Sequence, residues 1–64
     1  MAVIDWQGMK ALEGKQVRVT INRDPLVTTE GELVSLDEFG EAALKKPDGR
    51  VLCSWPALEM EDLT

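Results

Sequence analysis

The chain contains no histidine and no tyrosine, and Cys53 is its only cysteine. One cysteine excludes a disulfide within the chain, and without a histidine or a second thiol a zinc site has no ordinary ligand set. Nucleophilic catalysis needs a base beside the nucleophile, and none lies close to Cys53 in the sequence. No two carboxylates stand out as an acid and a base either. The sequence therefore predicts no enzyme, no metal site and no cofactor.

Long apolar segments are absent as well. No apolar run approaches the length that crosses a membrane, and residues 1–5 lack a basic region followed by an apolar one. The sequence therefore predicts neither a membrane span nor a secretion signal. The expected location is the cytoplasm, where Cys53 stays reduced.

Positive charge is scarce: 12 Asp and Glu residues outnumber 7 Lys and Arg residues, for a formal charge of −5. An acidic chain repels phosphate backbones, which disfavours non-specific nucleic-acid binding and favours a protein partner or a basic peptide. The 64 residues make one domain. A domain this small buries only about 60% of the surface of its unfolded chain, so we expect self-association to add stability.

Residues 1–13 have the pattern of a short helix. Asp5 suits an N-cap, and three apolar residues follow it at helical spacing, namely Trp6, Met9 and Leu12. Gly14 is expected to end this segment.

Residues 14–64 alternate between apolar and polar residues in short runs separated by turn residues, as β-strands do. Five strands are predicted, at residues 14–21, 30–37, 41–46, 50–55 and 59–63. The run from Asn22 to Pro25 breaks the alternation and predicts a loop that reaches about Thr29. Gly31 is where the second strand would bend sharply, with Leu33 on one face and Val34 and Leu36 on the other. Val51, Cys53 and Trp55 are predicted to share one face of the fourth strand, and Trp55 is assigned to the core. The expected fold is mostly β: a five-stranded antiparallel SH3-like barrel with a short N-terminal helix.

One run of residues resembles a known family. The first motif of the Sm-like (LSm) proteins, a family of SH3-like small barrels, is matched over residues 14–44 by Gly14, Val17, Val19, Gly31, Leu33, Asp37 and Leu44. The turn in residues 31–39 is also similar to that of Hfq, the bacterial Sm-like RNA chaperone. The family's RNA-contacting asparagine is replaced by Glu41, and residues 54–57 do not supply the second family motif. A weaker likeness is to the C-terminal barrel of the ribosome-maturation factor RimP.

The resemblance implies a non-catalytic, ring-forming module of ribonucleoprotein-type assemblies that holds single-stranded RNA at the turn from Asp37 to Glu41. Phe39 would stack on an unpaired base. The residues predicted to bind RNA are Asp37, Phe39 and Glu41, because of the resemblance, and Lys45 and Arg50, because of their positive charge. In rings of this family the fourth strand of one subunit pairs with the fifth of its neighbour, which here would join residues 50–55 to residues 59–63 in a homo-oligomer.

Charge favours a second function, an acidic SH3-like adaptor that binds a protein and no nucleic acid. The residues predicted for protein interfaces are Trp6, Arg50, Leu52, Ser54, Glu59 and Glu61. Simpler roles stay open for several candidates: Phe39 as a turn residue folded back on the barrel rim, Asp37 as the acceptor that organises the turn, and Glu41 as a solvated carboxylate.

Overall fold

A computed structural model describes residues 2–64, with the side chains of residues 53–55 outside the description. The described part is mostly β, with an antiparallel sheet and one short helix near the N-terminus, so this part of the sequence prediction is confirmed. Its elements are β1 (Ala2–Val3), α1 (Trp6–Lys10), β2 (Gln16–Arg23), β3 (Leu26–Leu36), β4 (Glu41–Lys45), β5 (Val51–Pro56) and β6 (Glu59–Asp62). The strand order across the sheet is β1-β6-β2-β3-β4-β5.

The sheet differs from the predicted barrel in strand number and in closure. Over residues 2–64 it has six strands rather than five, and its end strands β1 and β5 do not pair with each other, so it is not closed. The additional strand, β1, pairs with β6 through Ala2 opposite Glu61 and Val3 opposite Met60. Two residues are too few to show a period-two pattern, which is why the sequence of residues 1–13 indicated only a helix.

The long strand β3 connects two parts of the sheet. It pairs with β2 from Leu26 to Glu32 and with β4 from Glu32 to Leu36. Where the two pairings meet, a Cβ added to Gly31 would lie 2.8 Å from the carbonyl oxygen of Lys45. Only a glycine allows the backbone to come this close. The sharp bend that the sequence indicated at Gly31 stays a prediction.

The sequence prediction placed Leu36 on the wrong face of β3. Leu33 and Leu36 are both buried, whereas Val34 is 46% exposed. The pairing between β3 and β4 shifts between Leu33 and Ser35, which marks a β-bulge. A bulge inserts one extra residue into a strand, and it therefore returns Leu36 to the face that Leu33 occupies.

The connection between β2 and β3 is also shorter than predicted. β2 ends at Arg23 and β3 begins at Leu26, so Asp24 and Pro25 alone join them instead of a loop reaching Thr29. Valine and threonine favour strands, and the segment after Pro25 contains both, which explains why the strand starts early.

The core lies between one face of the sheet and the segment around α1. Its buried apolar side chains are Met9, Leu12, Val17, Val19, Leu33, Leu36, Ala42, Leu44 and Met60. The helix begins as the sequence predicted, because the Asp5 side chain accepts the N–H of Gly8 at 3.0 Å. The core position predicted for Trp55 falls outside the described side chains, and Val51, which was predicted to share its face, is 48% exposed. Within residues 2–64, no helix is both long enough and apolar enough to cross a membrane.

Candidate binding surface at the β3–β4 turn

The turn between β3 and β4 is built around one carboxylate. Oδ1 of Asp37 accepts the N–H of Phe39 and the N–H of Glu41, each at 2.9 Å. The Gly40 N–H donates to the carbonyl oxygen of Asp37 at 3.1 Å, and Gly40 has a φ of 84°, which favours glycine. The structural role predicted for Asp37, as the acceptor that organises the turn, is therefore confirmed.

The turn directs Phe39 into solvent. Its side chain is 79% exposed, the largest exposed fraction among the large apolar side chains that the structure describes. A ring folded back on the rim of the sheet would be mostly covered, so that interpretation of Phe39 was wrong. Because Asp37 fixes the backbone on both sides of Phe39, the ring is held on a defined turn.

The helix α1 brings a second aromatic residue to the same turn. Nε1 of Trp6 donates to the carbonyl oxygen of Asp37 at 2.6 Å, and Trp6 is 40% exposed. Nζ of Lys10 lies 5.9 Å from the centroid of the Trp6 ring, within the range of a cation–π interaction. We refer to Trp6, Lys10, Asp37 and Phe39 as the turn–helix surface. The sequence assigned Trp6 and Phe39 to different functions, but the structure places both residues beside Asp37.

Two polar side chains attach α1 to the end of β3. Nζ of Lys10 donates to the carbonyl oxygen of Leu36 at 3.0 Å and to Oε2 of Glu13 at 2.8 Å. The same Glu13 oxygen accepts the N–H of Leu36 at 3.0 Å. The Lys10 ammonium and the Leu36 N–H lower the pKa of Glu13. A helix of five residues is too short to be stable alone, so these bonds and the burial of Met9 hold Trp6 in place.

Sequence reasoning did not identify Lys10 as part of the surface. A signal was present, because Lys10 follows Trp6 by four residues on a predicted helix, and side chains at that spacing lie next to each other. The contact between Trp6 and Asp37 had no comparable signal, since 31 residues separate them.

The surroundings of the turn–helix surface are acidic. Asp37 lies in the turn with Glu38, and Glu41 follows at the start of β4. The cation of the surface, Lys10, is already paired with Glu13. An anionic phosphate backbone would therefore meet mostly carboxylates here, whereas a cationic partner would meet opposite charge.

The structure separates the residues predicted to bind RNA. Asp37 and Phe39 precede β4 and Glu41 begins it, whereas Lys45 ends β4 and Arg50 lies beyond that end. Four residues of strand place Glu41 and Lys45 roughly 14 Å apart along β4. The predicted set thus does not form one contiguous site within a chain.

Arg50 and Lys46, two basic residues near the β4–β5 turn, are engaged within the chain. Nε of Arg50 donates to Oδ2 of Asp48 at 2.7 Å, and the Arg50 N–H donates to Oδ1 at 3.0 Å. These two donors lower the pKa of Asp48. Nζ of Lys46 donates to Oγ1 of Thr29 at 2.6 Å and to the carbonyl oxygen of Glu30 at 2.7 Å.

The acidic residues predicted for a protein interface lie on β6. Arg18 bridges Glu30 and Glu61 with two contacts of 2.9 Å, and Glu30 chiefly raises the pKa of Arg18. Oγ1 of Thr20 donates to Glu59 at 3.4 Å. Glu59 and Glu61 border a shallow groove of about 210 Å³, which shares no lining residue with the turn–helix surface. The predicted interface residues Trp6, Glu59 and Glu61 therefore do not form one site.

The other predicted interface residues belong to or border β5. Leu52 is 37% exposed and Arg50 is exposed at the preceding turn, while the side chain of Ser54 lies outside the described part. Among the described residues, no group of three or more Cys, Asp or Glu residues is arranged to hold a metal ion.

Comparison with known proteins finds no relative of this chain. No protein-family model, no curated protein and no solved structure matches it. Membership of the Sm-like family stays a prediction made from residues 14–44, and the candidate surface is supported by its own contacts.

Proposed function

We propose that the chain is a non-catalytic, acidic interaction module that holds a segment of another protein on the turn–helix surface. The observation that carries this proposal is the fixed presentation of two aromatic rings beside one turn, Phe39 at 79% and Trp6 at 40% exposure. Exposed aromatic residues supply much of the binding energy in protein interfaces, because they bury a large area with few rotatable bonds.

The charge near the rings indicates the chemistry of the partner. Glu38 precedes Phe39 in the turn and Glu41 begins β4 two residues after it, so a lysine or arginine beside an apolar residue would find both an ion-pair partner and an apolar contact. An arginine could also stack on an exposed ring. A short basic segment with one apolar or aromatic anchor therefore fits the surface best.

Selection from a random peptide library displayed on phage tests this proposal. We expect the enriched peptides to be rich in lysine and arginine and to bind more weakly as salt rises. Phe39→Ala should lower the affinity for a selected peptide by about tenfold or more, since an interface anchor contributes more than about 1.4 kcal/mol to binding. Leu26→Ala is the matched control, because Leu26 is 69% exposed and lies at the β2–β3 hairpin, away from the turn–helix surface.

Two results would contradict the proposal. One is that selection yields no basic consensus. The other is that Leu26→Ala weakens binding as much as Phe39→Ala does, since binding would then not depend on the turn–helix surface.

A second candidate is the ring-forming Sm-like module, in which Phe39 stacks on a base of single-stranded RNA. It is supported by the exposure of Phe39 on a tight turn and by the close approach at Gly31. The five strands β2 to β6 would then be the five strands of the SH3-like barrel, with β1 added at the edge. Base stacking contributes about 1–3 kcal/mol for each base.

Short U-rich and A-rich RNA at low salt tests this candidate directly. Binding that Phe39→Ala abolishes would favour it over the protein-binding module. If the unmodified chain binds neither RNA at low salt, where electrostatic affinity is greatest, the RNA function is excluded.

A further inference from the structure

The turn–helix surface contains a complete binding site for an ammonium group. Nζ of Lys10 lies 2.8 Å from Oε2 of Glu13 and 3.0 Å from the carbonyl oxygen of Leu36. The same nitrogen lies 5.9 Å from the centroid of the Trp6 ring. A carboxylate, a carbonyl oxygen and the face of an indole ring all attract a cation. In the free chain, the cation that these three groups hold is the chain's own lysine.

The site is open to solvent. The side chains of Lys10 and Glu13 are 42% and 33% exposed, and Trp6 is 40% exposed. An ion pair at a protein surface contributes little to stability, because water solvates both ions well and holding two long side chains together costs entropy. Moving the Lys10 ammonium into water therefore costs little, and another ammonium can reach the vacated position from outside.

Release of Lys10 leaves the rest of the site in place. Trp6 keeps its own donation to the carbonyl oxygen of Asp37 at 2.6 Å. Oε2 of Glu13 still accepts the N–H of Leu36 at 3.0 Å, and the Leu36 carbonyl is part of β3. The ring face, the carboxylate and the carbonyl oxygen thus stay arranged for a second ammonium group, with little reorganisation to pay on binding.

The geometry favours lysine over arginine as the external ligand. One nitrogen atom, Nζ of Lys10, makes both hydrogen bonds and also contacts the ring. An ammonium is compact and carries three donors on one atom, whereas the donors of a guanidinium are spread over a planar fork. The site therefore suits a primary ammonium on an alkyl stem, which in a protein partner is a lysine side chain.

We propose that this site takes a lysine side chain of the protein partner, and that Lys10 is an internal competitor that fills the site in the free chain and leaves it when the partner binds. The partner in this inference rests on the proposed function, whereas the ammonium site does not. A partner anchored at Phe39 presents its lysine to the same surface at high effective concentration. Because the partner must displace Lys10, its affinity is lower than the open site would give.

Propylammonium tests the site without any partner. Lys10→Ala removes the side chain beyond Cβ, and propylammonium supplies the same atoms. In Lys10→Ala we expect this ligand to shift the NMR signal of the Trp6 indole N–H and to raise the melting temperature, relative to sodium chloride at the same concentration. It should do neither in the unmodified chain, where the site is filled, and propylguanidinium should bind Lys10→Ala more weakly.

Lys15→Ala is the matched control for the propylammonium experiment. The Lys15 side chain is 50% exposed and lies 3.5 Å from one carboxylate, that of Asp62. Among the described side chains, no aromatic ring lies beside it. A general effect of the ligand on exposed ion pairs would therefore appear equally in Lys15→Ala and Lys10→Ala, whereas a site formed with the indole ring responds only in Lys10→Ala.

A selected basic peptide tests the competition. Lys10→Met keeps a long side chain and removes the ammonium, so it should raise the affinity for a lysine-containing peptide. Lys15→Met removes the same charge outside the turn–helix surface and measures the general electrostatic gain. The gain with Lys10→Met should exceed that gain by about two- to fivefold, which corresponds to one exposed cation–π interaction. Circular dichroism of both variants checks that the fold is retained.

The two experiments can fail separately. If selection yields no basic peptide, the proposed function fails and the partner lysine fails with it, while the propylammonium result still shows whether the ammonium site exists. The inference is overturned if propylammonium acts equally on Lys10→Ala and Lys15→Ala, or if Lys10→Ala unfolds and propylammonium does not restore the fold. It is also overturned if Lys10→Met lowers the affinity for the peptide, because Lys10 would then serve only to hold α1 in place.

Discussion

Replacing Gly31 with alanine adds one methyl group at the point where β3 passes from β2 to β4. The new Cβ would lie 2.8 Å from the carbonyl oxygen of Lys45 and 3.3 Å from Cβ of Leu44. Ordinary contact begins near 3.4 Å, so the two strands must separate by 3.4 − 2.8 = 0.6 Å at this point. Lys45 belongs to the β3–β4 ladder, in which it faces Glu32, so this movement disturbs backbone pairing.

The expected loss of stability follows from three contributions. Overpacking a core costs about 1–3 kcal/mol, and weakening one backbone hydrogen bond costs about 0.5–1.5 kcal/mol. The substitution also regains about 0.5–1 kcal/mol of stability, because alanine has less conformational freedom than glycine in the unfolded chain. The net loss for Gly31→Ala is about 2–3 kcal/mol, and in a domain of this size it lowers the melting temperature by roughly 10–20 °C.

Thermal unfolding followed by circular dichroism, with urea unfolding beside it, measures this loss. Gly49→Asn is the control. Gly49 has a φ of 92°, which asparagine tolerates, and no atom lies within 4 Å of the place where a Cβ would be. We expect that control to cost less than about 1 kcal/mol. If Gly31→Ala melts within a few degrees of the unmodified chain, the strands do not approach each other at Gly31 and the reasoning fails.

Three further substitutions test the turn–helix surface. Asp37→Ala removes the acceptor of two N–H groups and should cost about 1–2 kcal/mol in urea unfolding, whereas Asp37→Asn, which keeps an oxygen, should cost less. Folding lowers the pKa of Glu13, so its contribution to stability is present above its usual pKa near 4.5 and is lost as pH falls below that value. The melting temperature of Glu13→Gln should therefore fall less on acidification than that of the unmodified chain or of the control Glu38→Gln. Trp6→Phe removes the indole donor to Asp37 and should lower stability by about 0.5–1.5 kcal/mol while keeping an aromatic ring, and equal stability would show that the bond does not hold α1.

Elements with local sequence signals were predictable. The strands that became β4, β5 and β6 were predicted within two residues of their ends, because turn residues such as Gly40 and Gly49 bound them. The N-cap at Asp5 and the turn built by Asp37 likewise depend on side chains that bond to backbone a few residues away.

Features that depend on pairing between distant segments were not predictable. Residues 22–25 were interpreted as the start of a long loop, but Pro25 lies in a two-residue connection, where its missing N–H removes no ladder bond. The buried face of Leu36 depends on a bulge, and a bulge is a property of the register between β3 and β4 rather than of either strand alone. The two residues of β1 have a partner in β6 that no local pattern indicates.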